Sequence, residues 1–356
     1  MLHFGSLTWL PLVIGAIAAE SQLVLKGLDP IELIDGREVE GDAALTVEHG
    51  TYLYRFVSED NRDLFLSEPE KWGVQWDGAC GRMGPLSGTG APDRFAVWDG
   101  RIWLFASDQC RAGFLKAPEK LLPIDQEAPV ADEAAKAAGQ ALLEKAAAAC
   151  GDLAAFDTLK SVHVRSPLKT TSGGADFLGT RDLWFEYPGS YRFEEAWGGK
   201  GYGHAIAAGA ATRFEPGEVQ PLGTVSTTTV AREALRHPLW ILRERKQLVA
   251  VPAGSDTVLG QPVELVTVHA AKQNVTLALD AKSGRILELR HTGLTSRGVA
   301  LAVRRITSWL EAGKLTLPAR IQSVGVDGLI HDNVSGEPTI ELDVALADGH
   351  FGVAGR

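Results

Sequence analysis

After Lys160 the apolar and polar positions alternate with a period of two over most of the chain. Val275-Thr276-Leu277-Ala278-Leu279-Asp280 runs into Ala281-Lys282-Ser283-Gly284, and the alternation resumes through Arg285-Ile286-Leu287-Glu288-Leu289-Arg290-His291. Successive side chains on a strand face opposite ways, so this stretch reads as strand, turn, strand. The same pattern predicts strands at 182–187, 190–195, 263–269, 300–308 and 320–326, with turns at Pro188-Gly189 and Pro216-Gly217. Two stretches read differently. Residues 132–149 are rich in Ala with Glu133, Lys136, Glu144 and Lys145, and Asp132 is placed to cap them, which predicts a helix. Residues 153–159 extend it beyond Gly151-Asp152. Residues 229–243 set Ala234, Leu235, Leu239 and Leu242 near one helical face, and Pro238 implies a break. Many hairpins with few helices predict an α+β fold: a curved antiparallel half-barrel over residues 160–351 with a helical plug, behind a linker and helix over 124–159.

The first third carries an internal repeat. Residues 56–71 read FVSEDNRDLFLSEPEK and residues 105–120 read FASDQCRAGFLKAPEK, identical at eight of sixteen positions. Each copy follows an aromatic run, Tyr52-Leu53-Tyr54 or Ile102-Trp103-Leu104. Each then opens with a Ser (Ser58, Ser107) suited to cap a short helix whose Phe65 or Phe114 points inward. Pro69 and Pro118 end those helices. Residues 22–123 therefore read as a small α+β domain.

The start of the chain and the composition bound the setting. Residues 7–19 are uncharged and mostly apolar, too short to span a bilayer, and Ala16-Ile17-Ala18 supplies small residues for cleavage near Ala18. Residues 1–18 thus read as a signal peptide, and the mature protein as periplasmic or secreted. A net charge of −10 disfavours nucleic acid as a partner. In an oxidising compartment Cys80 and Cys110 could form a disulfide, stay free, or hold zinc or copper; Cys150, at the end of the Ala-rich helix, reads as structural.

Two resemblances follow. Gly27-Leu28-Asp29-Pro30, Asn61-Arg62-Asp63-Leu64-Phe65-Leu66, Pro69-Glu70-Lys71 and Gly78-Ala79-Cys80, with 99–105 as a later strand, resemble the YHS domain of exported bacterial proteins over residues 25–122. That family is related to TRASH cysteine modules, which bind metal through an aromatic-Cys-Ser-x-x-Cys turn. This chain departs from the turn: Ala106 stands at its first Cys and only Cys110 remains, while the first copy has Val57 and Asn61. Further on, 185–192, the helix near 231–243, 259–265, Leu277-Ala278-Leu279-Asp280 with the Ser283-Gly284-Arg285 turn, and Asp348-Gly349-His350-Phe351 resemble LolA/LolB-like lipoprotein-carrier domains in pattern and order. The resemblance implies an apolar cavity able to take acyl chains.

Catalytic constellations are missing from the sequence. There is no His-Glu-x-x-His, no Gly-x-Ser-x-Gly, no phosphate loop and no Cys-x-x-Cys. His163, His204, His237, His269, His291, His331 and His350 are scattered along strand-like stretches. Glu194 and Glu195 fall on opposite faces of a strand, and 198–201 reads as a turn. The expected function is a non-enzymatic binding protein for a lipid or other apolar molecule, without a cofactor and with envelope proteins as further partners. A zinc- or copper-responsive protein and an unrecognised enzyme are the alternatives. Alternation nominates the cavity lining as Leu183 and Phe185, Tyr191 and Phe193, Leu277 and Leu279, Leu287 and Leu289, with Leu235, Leu239, Trp240 and Leu242 on the plug.

Overall fold

The computed structural model describes residues 21–122, 125–295, 298–324 and 333–352. The signal-peptide segment, His331 and residues 325–326 lie outside them. The chain is mixed α and β, mostly sheet.

It opens with β1 (Gln22–Leu23) and α1 (Pro30–Ile34). Then come the hairpin β2 (Asp42–His49) and β3 (Tyr52–Phe56) and the helices α2 (Glu59–Ser67) and α3 (Pro69–Trp72). β4 (Ala91–Trp98), β5 (Arg101–Phe105) and α4 (Asp108–Leu115) repeat that order 49 residues later. The repeat is structural down to its irregularity. Asp42 pairs with Phe56 and the register slips to Thr46–Arg55; Ala91 pairs with Phe105 and slips to Phe95–Leu104. A bare backbone precedes each bulge. A Cβ on Gly41 would meet the Arg55 backbone at 2.5 Å, and one on Gly90 would meet Leu104 at 2.6 Å. Ser58 and Ser107 accept from the N–H groups of Asn61 and Cys110 at the helix starts. Phe65 packs on Tyr54 and Phe56, with ring centroids 4.7 and 5.3 Å away; Phe114 packs on Trp103 and Phe105 at 5.3 and 5.2 Å.

The copies differ at one clamp. In the first, the Asp29 carboxylate accepts from the Val57 N–H at 2.8 Å and from the Asn61 amide at 2.9 Å. In the second, the Cys80 sulfur accepts from the Ala106 N–H at 3.4 Å, and Cys110 stands where Asn61 stood.

The rest of the chain builds two facing sheets. α5 (Glu133–Ala148) and α6 (Leu153–Thr158) come first. Next are β6 (Ser161–Ser172), β7 (Ala175–Glu186), β8 (Ser190–Trp197), β9 (Lys200–Ala207), β10 (Ala210–Glu215) and β11 (Glu218–Pro221), then α7 (Thr224–Leu235) and α8 (Pro238–Glu244). A meander follows of β12 (Val249–Val258), β13 (Gln261–Ala270), β14 (Gln273–Asp280), β15 (Ile286–Thr295), β16 (Gly298–Ala312) and β17 (Leu315–Val324), and then β18 (Thr339–Leu342). One sheet runs β11-β10-β9-β8-β7-β6-β18 and the other β12 to β17 in order; neither closes. Side chains from both sheets and from α5 to α8 share one core.

Local chemistry fixes the helices. Asp132 caps α5 by accepting from the Ala135 N–H at 2.8 Å. α5 lies flush on β12 because Gly139 has no side chain: a Cβ there would meet the Ala250 carbonyl oxygen at 2.4 Å. The buried Arg245 guanidinium donates to Glu144 at 2.9 Å and Asp157 at 2.7 Å, tying α5 and α6 to the end of α8. Pro238 and the His237 ring, which accepts from the Leu239 N–H, start α8 as a separate helix.

The strand pattern needs two corrections. β6, β9, β10, β11, β12 and β18 lie outside the predicted strands; over 200–221 Gly, Ala and Thr blur the alternation. Strict alternation also fails in β15. Ala278 pairs with Glu288 but Leu279 with Ile286, so Leu287 is the extra residue of a bulge. Ile286 and Leu289 face the core, while Leu287 packs with Val258, Val263, Leu265 and Ala278 on the other face.

Candidate functional site

The inner faces of the two sheets do not meet everywhere. Beside α7 they leave a cavity of about 340 Å³. Leu183 of β7 and Tyr191 and Phe193 of β8 form an aromatic and aliphatic wall; Ala319 and Ile321 of β17 and Val334 extend it. Val164 and Leu86 add to the apolar part, and the polar lining is Ser166, Arg181, His204 of β9, Glu233 of α7, His237, Arg304 of β16, Arg320 and Ser323. Three arginines thus face one carboxylate.

The nominated lining residues divide. Leu183, Tyr191 and Phe193 border the cavity. Phe185, Leu235, Leu239, Leu242, Leu277, Leu279 and Leu289 are fully buried in the packed core instead. Their side chains meet one another and α5, so they support the cavity without lining it. Trp240 packs partly buried against the same core, and its ring N–H has no partner among the described residues. Leu287 belongs to the opposite face, because the bulge shifts it by one position.

Charge inside the cavity is organised around Glu233. Burial would push its carboxyl up, but Arg236 and Arg304 overcome this and hold it well below the usual carboxylate range. Arg236 pairs with it from the next helical turn, and Arg304 reaches it at 2.9 Å from β16. The neighbouring imidazoles stay neutral. Burial lowers His204 to about 4, and lowers His237 and His291 to about 3. His204 stacks on Phe193 with centroids 5.1 Å apart, and its Nε2 has no partner among the described residues. The Nδ1–H of His291 donates to the Thr292 carbonyl at 3.1 Å. Arg181 is matched by Glu195 at 2.7 Å. Arg320 donates to the Val334 carbonyl at 2.8 Å, and its buried Nε has no partner among the described residues.

A loop of the N-terminal region stoppers this space. The Cys80 N–H donates to the Gly88 carbonyl at 3.2 Å, which closes the loop, and the Arg213 guanidinium holds the Ser87 carbonyl at 3.2 Å. Leu86 at its tip borders the 340 Å³ cavity, a space of about 310 Å³ beyond Glu233 and one of about 460 Å³ against Phe214.

No protein-family model and no curated protein matches the chain. Among solved structures it is similar to LolA-superfamily and related folds. One is a DUF1329 family protein from Desulfovibrio piger, 11% identical, covering 61% of this chain and 97% of that one with a TM-score of 0.41. Another is a LolA superfamily protein from Nitrosomonas europaea, 12% identical, covering 60% and 96% with a TM-score of 0.39. A third is an outer membrane lipoprotein-sorting protein domain from Vibrio parahaemolyticus, 12% identical, covering 59% and 95% with a TM-score of 0.36. At these values the likeness assigns neither ligand nor activity. The YHS resemblance stays one of sequence pattern.

The second candidate site is the cysteine pair. Cys80 and Cys110 are free thiols, Cys110 packing against the cluster that holds Cys80, and burial is the main cause that raises the Cys80 thiol. Among the described residues no group of three or more His, Cys, Asp or Glu stands ready to hold a metal ion. Cys150 is buried elsewhere, in the core, which pushes its thiol up to about 12.

Sequence reasoning set His204 aside as one of the scattered histidines and missed Glu233, Arg304, Arg320 and Leu86. One signal was available. Arg304 shares its strand face with Ile306, a charge where the pattern asks for an apolar residue. Glu233 and Arg236 look like an ordinary solvated pair one helical turn apart until the fold buries them.

Proposed function

We propose that the chain is an exported, non-enzymatic binding protein that holds a lipid or similar amphiphile between its two sheets. The cavity beside α7 carries this reading. Its volume of about 340 Å³ falls in the range of small-molecule sites, and it joins an apolar wall to a few convergent polar groups. Export rests on the uncharged apolar segment at 7–19 and the small residues Ala16 and Ala18 near its end. The test is Nile red fluorescence with the full mature chain, followed by mass spectrometry of what co-purifies after periplasmic expression. Binding is expected, with Phe193→Ala and Leu183→Glu weakening it while the fold persists by circular dichroism. Absence of binding by folded protein would remove the reading.

A second reading gives Cys80 and Cys110 to zinc or copper, because Cys110 packs against the cluster that holds Cys80. Two soft donors suit Cu(I) better than a four-coordinate zinc site. Stoichiometric metal in the purified protein, lost in Cys110→Ser, would support it.

A further inference from the structure

Among the described residues the cavity's charges do not balance, and the imbalance has an address. Arg181 is neutralised by Glu195, and Arg304 by Glu233. Arg320 has no carboxylate among the described residues; its one contact is the Val334 carbonyl, and its buried Nε is unmatched. A guanidinium drawn partly out of water without a counter-ion is costly, and an anion brought to it offsets that cost. Glu233 already holds two arginines, so it has no demand for a cationic group. His204 adds an unmatched Nε2 on the same cavity, beside the aromatic wall. Deeper in, His237 and the packed leucines offer no second charge.

We infer that the bound molecule is an anionic amphiphile whose acidic head, a carboxylate or a phosphate, sits on Arg320 while its chain lies along Leu183, Tyr191 and Phe193. This rests on the binding reading above and adds the sign of the head group. A charge-assisted hydrogen bond contributes roughly 1.5–3 kcal/mol, so the acidic head improves affinity by about tenfold or more over an uncharged one.

Displacement of Nile red, an uncharged probe, from the full mature chain tests this with four amphiphiles of one chain length: dodecanoate, dodecyl phosphate, dodecanol and dodecyltrimethylammonium. One or both anions are expected to bind at least about tenfold tighter than the alcohol; the better of the two tells a fatty-acid source from a phospholipid one. Arg320→Met should bring the anions to within about threefold of the alcohol, and Arg320→Lys should keep part of the preference. Melting temperature shows that each variant is folded. Equal affinity for all four ligands, a preference for the cation, or an anion preference that survives Arg320→Met would overturn the head-group assignment and leave the binding reading standing. If Nile red and all four ligands fail on folded protein, both fall.

Discussion

Acid should unfold this protein well above the range where carboxylates alone would do so. The perturbation is a drop in pH from 7.5 to 5.0. His237 and His291 are 5% exposed, and His204, partly buried, borders the cavity and the space against Phe214. Burial depresses all three, to about 3, about 3 and about 4. In the unfolded chain each should titrate near 6.5. Above that value neither state binds the proton. Below it the unfolded chain takes up protons that the folded chain refuses, so stability falls with pH until the folded values are reached. One such ring costs about 1 kcal/mol between pH 6.5 and 5.5, and three cost about 3 kcal/mol. Glu233, depressed by its arginines, adds a loss in the same direction below the ordinary carboxylate range. His163 has the opposite sign. Burial lowers it, but its hydrogen bonds to Asp182 and Glu341 outweigh that and raise it, so its contribution is complete below the unfolded value and is lost as pH rises. It therefore does not rescue the acid side. The three rings remove about 4 kcal/mol by about pH 5.5 and about 10 by about pH 4, so a domain in the lower half of the usual range of about 5–15 kcal/mol unfolds cooperatively between those values. The assay is urea unfolding followed by tryptophan fluorescence at pH 7.5, 6.5, 5.5 and 5.0. His237→Gln should remove about a third of the loss. A free energy of unfolding constant to within about 0.5 kcal/mol from pH 7.5 to 5.5 would refute the reasoning.

Three further outcomes follow from the packing. Leu289→Ser should cost about 3 kcal/mol or more by urea unfolding and Leu287→Ser under about 1.5, because only the first empties the core; equal costs would contradict the bulge. Gly139→Val should destabilise by more than about 2 kcal/mol, since its side chain has nowhere to go but the Ala250 carbonyl; a wild-type melting temperature would deny the close approach of α5 to β12. Thiol counting should find Cys110 as the one fast-reacting group on reduced native protein, with Cys80 and Cys150 protected by burial. On denatured, unreduced exported protein, one thiol is expected if Cys80 and Cys110 have joined; three would leave them unpaired.

Much of the fold was legible because its signals are local. The 49-residue repeat announced two copies of one strand-helix unit, and cap residues, turns and aromatic runs need only their neighbours in sequence. Period-two alternation marked the meander from β13 to β17 for the same reason. It failed at Leu287, where one inserted residue reverses the facing, and over β9 to β11, where small residues carry little contrast.

The sequence by itself determined the α+β class, the repeat, the broken plug helix and the apolar residues that make the core. Tertiary structure decided the site. Leu277, Leu279 and Leu289 close onto α5, while Leu183, Tyr191 and Phe193 are left facing open space. Alternation reports which side of a strand a residue is on, but it cannot report whether anything fills the gap opposite. The charges depend on distance in the same way. Glu233 comes from a helix 71 residues before Arg304, whose strand and the next carry the two arginines, and only folding onto one cavity pairs Glu233 with Arg304 and leaves Arg320 without a counter-ion among the described residues.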